Sequence, residues 1–269
     1  MKNHEYLHGY SKKEGLRLNN QAATLEDLIH YDSIFPRHGL VLEAGCGVGA
    51  QTKIIASKNP DSCFISIDIS QDSITEAERV IRFLGISNVE FKQADICKLP
   101  FRDGMFDCVI ICFVLEHLQN PLQALTELKR VLRKGGTMMV IEGDHGSTFF
   151  YPDSNYAYLS INCQIQLQKQ SGGNANIGRE LYLLLNTLNL SNLSISPRIV
   201  YVDSSKPQLV EGFIKNTFIS MIEGVKEKAI QKGIIDNLTF EKGINDLYRT
   251  TQSDGIFCYT FFKGCGIKK

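Results

Sequence analysis

The run Val41-Leu42-Glu43-Ala44-Gly45-Cys46-Gly47-Val48-Gly49-Ala50 constrains this chain more than any other. A short apolar stretch, the pattern of a buried strand, breaks into three alternating glycines. Residues 51–58 then have helical composition, and Asn59-Pro60 stops them. Glycine tolerates φ > 0 and leaves backbone bare enough for a ligand to touch. A strand, a glycine turn and a helix N-terminus in succession build a nucleotide site at the carboxyl edge of a parallel sheet.

The spacing refines this reading. A dinucleotide fingerprint is G-x-G-x-x-G, with the helix start facing a pyrophosphate. Here it is G-x-G-x-G, and Glu43 stands two residues upstream. A carboxylate sits badly beside a phosphate and well beside a cation such as an amine or a sulfonium. Glycines alone also describe a turn with no ligand, so the rest of the chain must decide. With Glu43, Gly45, Gly47 and Gly49 in E-x-G-x-G-x-G order, the stretch resembles the first motif of class I S-adenosylmethionine-dependent methyltransferases.

Later segments fall in register with that resemblance. Residues 62–69 read as a second buried strand ending in Asp68, about 20 residues past the glycines, where such folds place a ribose-binding acid. Capping of the next helix is the competing role, and Ser70 or Asp72 could serve it equally well. Residues 71–84 are amphipathic, and 88–92 form a short strand before Asp95-Ile96. The resemblance implies that Asp95 reads the adenine amine, that Ile96 presses on the ring, and that Cys46 and Ile69 border the cofactor. LPF…D…FD over 99–107 and LKRVLRKGG over 128–136 are typical of its type 11 subgroup, which includes quinone-biosynthesis methylases.

Cys108–Val114 is apolar throughout, as in a strand buried on both faces. In the family the residues just past this strand line the meeting place of cofactor and acceptor, which implicates Phe113 and Glu116-His117. Residues 122–132 are amphipathic, with Lys134-Gly135-Gly136 as a cationic, glycine-terminated helix end, and 137–142 make the fifth strand. The order β-α-β-α-β-(α)-β-α-β implies a parallel sheet covered on both faces. The expected fold is therefore α/β: a doubly wound, Rossmann-like, mostly parallel seven-stranded sheet, with 257–263 as a last, antiparallel strand and with helical cap and lid elements.

The expected organisation is an N-terminal helical cap over residues 1–36 and a methyltransferase domain over 37–269, with 148–176 and 207–250 as lid or insertion segments. Leu16, Leu18, Ala22, Ala23, Leu25, Leu28 and Ile29 form an apolar stripe in the cap. If the cap closes over the cofactor, Tyr10 and Arg17 would reach its methionine portion. Glu142-Gly143-Asp144-His145-Gly146-Ser147 follows the fifth strand at the cofactor edge, so His117, Asp144 and His145 are the candidate acid–base groups. A packing role for His117 and a merely polar loop for Asp144 and His145 are the plain alternatives.

Composition limits the partners. Lys+Arg and Asp+Glu both count 29, which argues against a broad phosphate-binding surface and so against nucleic acid. Eight cysteines include no C-x-x-C pair and no Cys/His cluster of zinc spacing, so no metal is expected. Cys63, Cys108, Cys112 and Cys258 lie in apolar runs and read as buried thiols in a reducing compartment. Residues 1–14 resemble no signal or transit peptide, and no run suits a membrane span, so a cytoplasmic protein is expected. The expected function is methyl transfer from S-adenosylmethionine to a small-molecule acceptor. An NAD-dependent oxidoreductase on the same sheet and a cofactor-binding protein without turnover are the competing classes. Methylation of RNA is a lesser variant.

Overall fold

The computed structural model describes residues 12–269. Its frame is a seven-stranded sheet in the order β3-β2-β1-β4-β5-β7-β6. The strands are β1 Leu40–Ala44, β2 Cys63–Asp68, β3 Val89–Gln93, β4 Phe106–Cys112, β5 Leu132–Tyr151, β6 Ser191–Asp203 and β7 Ile256–Ile267. β1 pairs in parallel with β2 and β4, β2 with β3, and β4 with β5. β7 runs antiparallel to both β5 and β6, so it is the one reversed strand and lies inside the sheet edge.

The strand pattern explains the layering. Successive side chains point to opposite faces. Along β4, Cys108 and Ile110 pack with Ile55 and Phe64 on one face, while Val109 and Ile111 pack with Leu125 and Leu128 on the other. The helices supplying those faces are α1 Lys12–Ile29, α2 Thr52–Lys58, α3 Gln71–Phe83 and α4 Pro121–Val131. Ser70 caps α3, accepting from Ser73 N, and Asn120 caps α4, accepting from Gln123 N, with Pro121 in the first turn.

The second half adds α5 Asn155–Gln170, α6 Leu181–Thr187, a π-helix Val210–Ile219 and a helix Asn237–Arg249. Residues of α5, the π-helix, the Asn237–Arg249 helix and β7 share one apolar cluster with Leu25 and Ile29 of α1. The expected 148–176 and 207–250 segments thus pack on the sheet face that α1 also covers.

Several sequence expectations shift. The crossover between β3 and β4 contains no helix. α4 stops at Val131, because Leu132 is already extended at ψ 135°, so Lys134-Gly135-Gly136 leads into the fifth strand and does not cap the helix. That strand reaches Tyr151, since β7 supplies partners for Phe149, Phe150 and Tyr151 beyond an irregularity after Asp144. Residues 142–147 therefore belong largely to a strand. Cys63 is exposed, at the first position of β2. In α1, Leu16 is 64% exposed, while Glu14, Arg17 and Gln21 are buried: the helix turns polar side chains inward over its first turns.

This contrast can be measured. Leu42→Ala, in a fully buried position of β1, should cost about 2–5 kcal/mol by urea unfolding. Leu16→Ala should cost no more than about 0.5 kcal/mol, because its site is already in water.

Candidate functional site

The glycine turn is shaped by what surrounds it. Gly45, Gly47 and Gly49 have φ of 77°, 51° and 78°. A Cβ on Gly45 would collide with Val114, and one on Gly49 would come within 3.1 Å of Ala77 on α3. A Cβ on Gly47 would meet nothing within 4 Å. Two glycines let neighbouring elements approach, and the middle one presents bare backbone to open space.

Two acids hold this turn. Glu43 is 4% exposed, and its Oε2 accepts from Thr52 Oγ1 at 2.7 Å and Ser66 Oγ at 2.6 Å. Burial raises its pKa to about 7, against the two hydroxyl bonds, which lower it. Asp68 accepts from Gly47 N at 2.8 Å through Oδ2 and from Ser70 N at 2.9 Å through Oδ1. Burial raises its pKa too, and the backbone donors oppose the rise. Strand register puts Glu43, Asp68 and Asp95 at the carboxyl ends of three adjacent strands. Asp68 is half-buried and Asp95 exposed at that rim, Asp95 accepting from Cys97 N at 2.8 Å. Ile69 is 59% exposed there, Ile96 is half-buried, and Cys46 is buried behind the turn.

A small pocket of about 50 Å³ lies between α1, the π-helix and the ends of β4, β5 and β7. Arg17 and Gln21 stand on one side. Arg17 forms a bidentate pair with Glu14, at 2.6 and 2.8 Å, and donates to Gln21 Oε1 at 3.0 Å. Phe113, just past β4, adopts φ 59°, a conformation sparsely used by residues with a Cβ. Its ring lies 5.4 Å from that of Phe261. Tyr10 falls outside the described residues.

At the inner end, Glu116, His117, His145 and Tyr259 meet. Glu116 accepts from Gln168 Nε2 at 3.2 Å, and its oxygens lie 3.5 Å from His117 Nε2 and 3.7 Å from His145 Nε2. Burial would raise the Glu116 pKa, but the adjacent His117 and His145 overcome that and hold it near 2. Burial pushes His117 below the ordinary imidazole value, opposed by Glu116. Tyr259 Oη is 3.1 Å from His145 Nδ1, and burial raises its phenol well above the usual range.

Asp144 takes no part in this pocket. Alternation along β5 sends Gly143 and His145 inward and Asp144 away, where Arg179 grips its carboxylate at 2.7 and 2.8 Å. The sequence ends this strand at residue 142, so the alternation that separates the two neighbours emerges only with the longer β5. In the sequence Glu116 stands out only beside His117, and Gln168 carries no local signal. The signal for Tyr259 was a hydroxyl inside the apolar run FCYTFF, which needs a buried partner.

Among the described residues no group of acids, histidines and cysteines is placed to hold a metal, and no helix is long and apolar enough to cross a membrane.

Comparisons with known proteins agree with this geometry. Residues 42–140 match the family described as methyltransferase domain. An uncharacterised 37.1 kDa transposon protein of Streptomyces fradiae is 31% identical over 209 residues, covering 77% of this chain and 56% of its own length. A ubiquinone/menaquinone biosynthesis C-methyltransferase of Pseudomonas fluorescens is 38% identical over 104 residues, covering 38% and 41%. The chain spans about half the length of the curated relatives it matches. In fold it is similar to phosphoethanolamine N-methyltransferase 2 of Haemonchus contortus, solved with phosphomonomethylethanolamine and S-adenosylhomocysteine. That likeness has a TM-score of 0.61 at 13% identity, covering 96% of this chain and 58% of the other.

Glu43 gives the site a pH signature. A carboxyl whose folded pKa lies near 7, above its ordinary 4.5, contributes stability fully below pH 4.5 and loses it as pH rises through 7. Glu43→Gln should flatten the fall in denaturant midpoint across that window. An unchanged slope in the variant would show that Glu43 does not titrate there.

Proposed function

We propose, from the premise that residues 42–140 of this chain are a class I S-adenosylmethionine-dependent methyltransferase domain, that the protein transfers a methyl group from S-adenosylmethionine to a small-molecule acceptor. The observation that carries this reading is the bare backbone at Gly47 beside the Asp68 carboxylate and the exposed Ile69 side chain. A cofactor with a ribose and a flat base fits those three features. Asp68 would accept from the ribose hydroxyls, Asp95 from the adenine amine, and Ile69 and Ile96 would flank the ring. Gly45, Cys46, Gly47 and Gly49 would border the chain joining sugar and sulfur. Arg17 and Tyr10 would face the methionine end, and Phe113 and His117 the methyl group.

The donor brings an activated methyl group, so the protein's task is to bind, align and exclude water. Glu43 would act from beneath the turn. Its carboxyl stays buried, so it holds the backbone that the cofactor contacts and favours a cation above it. Residues 12–29 would cap the pocket, and 148–176 and 207–250 would serve as its lid. The apolar, narrow pocket and zero formal net charge favour a small organic acceptor over nucleic acid. A cytoplasmic setting suits eight free thiols, though nothing in the proposal needs it.

Titration calorimetry with S-adenosylhomocysteine tests this reading, with NAD as the competing ligand. Binding of the first and none of the second is expected. Asp68→Ala should weaken that binding more than about tenfold, the scale of two buried hydrogen bonds worth ~1–3 kcal/mol. Asp68→Asn, which keeps an acceptor for Gly47 N, separates loss of ligand contact from loss of the turn. Binding by Asp68→Ala at full affinity would contradict the ribose assignment.

A further inference from the structure

The inner end of the pocket holds a chain of three side chains from distant parts of the sequence. Tyr259 on β7 stands with its hydroxyl 3.1 Å from His145 Nδ1 on β5, and His145 Nε2 faces Glu116 Oε2 at 3.7 Å. All three line the pocket. We propose that Tyr259, His145 and Glu116 form a proton relay for the acceptor, and that the acceptor is a hydroxyl carried on an aromatic body. The inference rests on the methyltransferase reading and assigns the acceptor class of that same site.

The geometry fixes the direction of the relay. Glu116 is a buried carboxylate whose other side-chain contacts, Gln168 Nε2 at 3.2 Å and His117 Nε2 at 3.5 Å, offer it a proton or positive charge, while the buried Glu142, which accepts from Val114 N and Leu115 N, stands near enough to repel it. An ionised carboxylate facing Nε2 keeps the proton on that nitrogen. Nδ1 is then the acceptor, and the Tyr259 hydroxyl donates to it. The order of roles is that of a nucleophile–histidine–carboxylate triad, with the buried Tyr259 phenol at the end that lines the pocket. Gly143 lies where any Cβ would collide with the Tyr259 hydroxyl, so the strand leaves room for that group.

The rest of the wall chooses the acceptor. Phe113, Phe213, Phe218, Phe261 and Met221 surround the pocket with apolar surface. Polar groups stand at the Glu116 end and at the Arg17–Gln21 side, where Arg17 is already paired with Glu14. A flat apolar molecule with one acidic hydroxyl matches that arrangement. Its hydroxyl proton passes to Tyr259 Oη as the Oη proton moves to His145 Nδ1, and Glu116 stabilises the resulting imidazolium. The donor supplies the methyl group: a C–O bond forms as the C–S bond breaks, the electron pair goes to sulfur, and the sulfonium becomes a neutral thioether. After product leaves, His145 returns its proton to solvent.

The titratable and charged groups around the relay are His117 after β4, with the Arg17–Glu14 pair of α1 acting on it, and the buried Glu142 of β5, which acts on Glu116 and Tyr259. Asp144 is turned to Arg179.

The test uses 4-nitrophenol, whose anion is yellow, with protein saturated in S-adenosylhomocysteine at a pH well below the phenol's own pKa. Bound phenol should carry the phenolate spectrum in the wild type. Tyr259→Phe, which removes only one oxygen, should reduce the bound phenolate fraction roughly tenfold, as should His145→Gln, corresponding to about one pKa step. Glu116→Gln should lower it in proportion while the variant still binds S-adenosylhomocysteine, which a purely structural role for Glu116 would not produce. No bound phenol, or phenolate undiminished in Tyr259→Phe, overturns the relay. Failure of the wild type to bind S-adenosylhomocysteine overturns the methyltransferase reading beneath it.

Discussion

The site depends on two carboxyls beneath a glycine turn, Glu43 buried and Asp68 half-buried. Glu43 ties β1 to Thr52 at the start of α2 and to Ser66 on β2, and Asp68 ties the end of β2 to Gly47 N and Ser70 N. Three elements are thereby held at one sheet edge. A turn with three residues at positive φ loses backbone entropy on ordering, and such fixed acceptors offset it. The result is a strip of half-buried backbone at Gly47 with open space where a side chain would stand.

From that strip inward, the chain changes character. The rim is built from neighbours in sequence, each strand end followed by its own turn. The pocket behind it is built by long-range contact: α1 packs against the π-helix, with Gly212 so close to Thr24 that a Cβ there would collide. β7 brings Tyr259 against His145, 114 residues away. The pocket lies where α1 and the π-helix face the ends of β4, β5 and β7. The π-helix is a rare geometry that is frequent at functional sites, and Thr217 Oγ1 donates to Gly212 O five residues back along it.

The sheet order and the glycine turn could be read from the sequence because each rests on a local rule: period-2 or continuous apolar runs for strands, and positive φ for glycines. The burial of residues 108–111 on both faces follows from their unbroken apolar pattern, with Cys112 half-buried at the strand end. The length of β5 could not be read, because Phe149–Tyr151 are extended by pairing with β7 and not by their own preference. The polar face of α1 was hidden for a related reason. Arg17 is buried with Glu14 and Gln21 as its partners, a satisfied cluster that an apolar-stripe reading passes over. Asp144 and His145 stand side by side in the sequence, but the extension of β5 past Glu142 turns them to opposite faces. Tyr259 and Gln168 become functional candidates only once the fold brings β7 and α5 to Glu116.

The central claim is that the carboxyl ends of β1, β2 and β3 receive one ligand made of a cationic tail, a sugar and a flat base. A crystal structure of the protein grown with S-adenosylhomocysteine tests it directly. Density is expected to run from Gly47 across Asp68 to Asp95, with the sulfur toward Phe113. Density at any other place, or a rim closed by side chains in a protein that binds the compound, would contradict it.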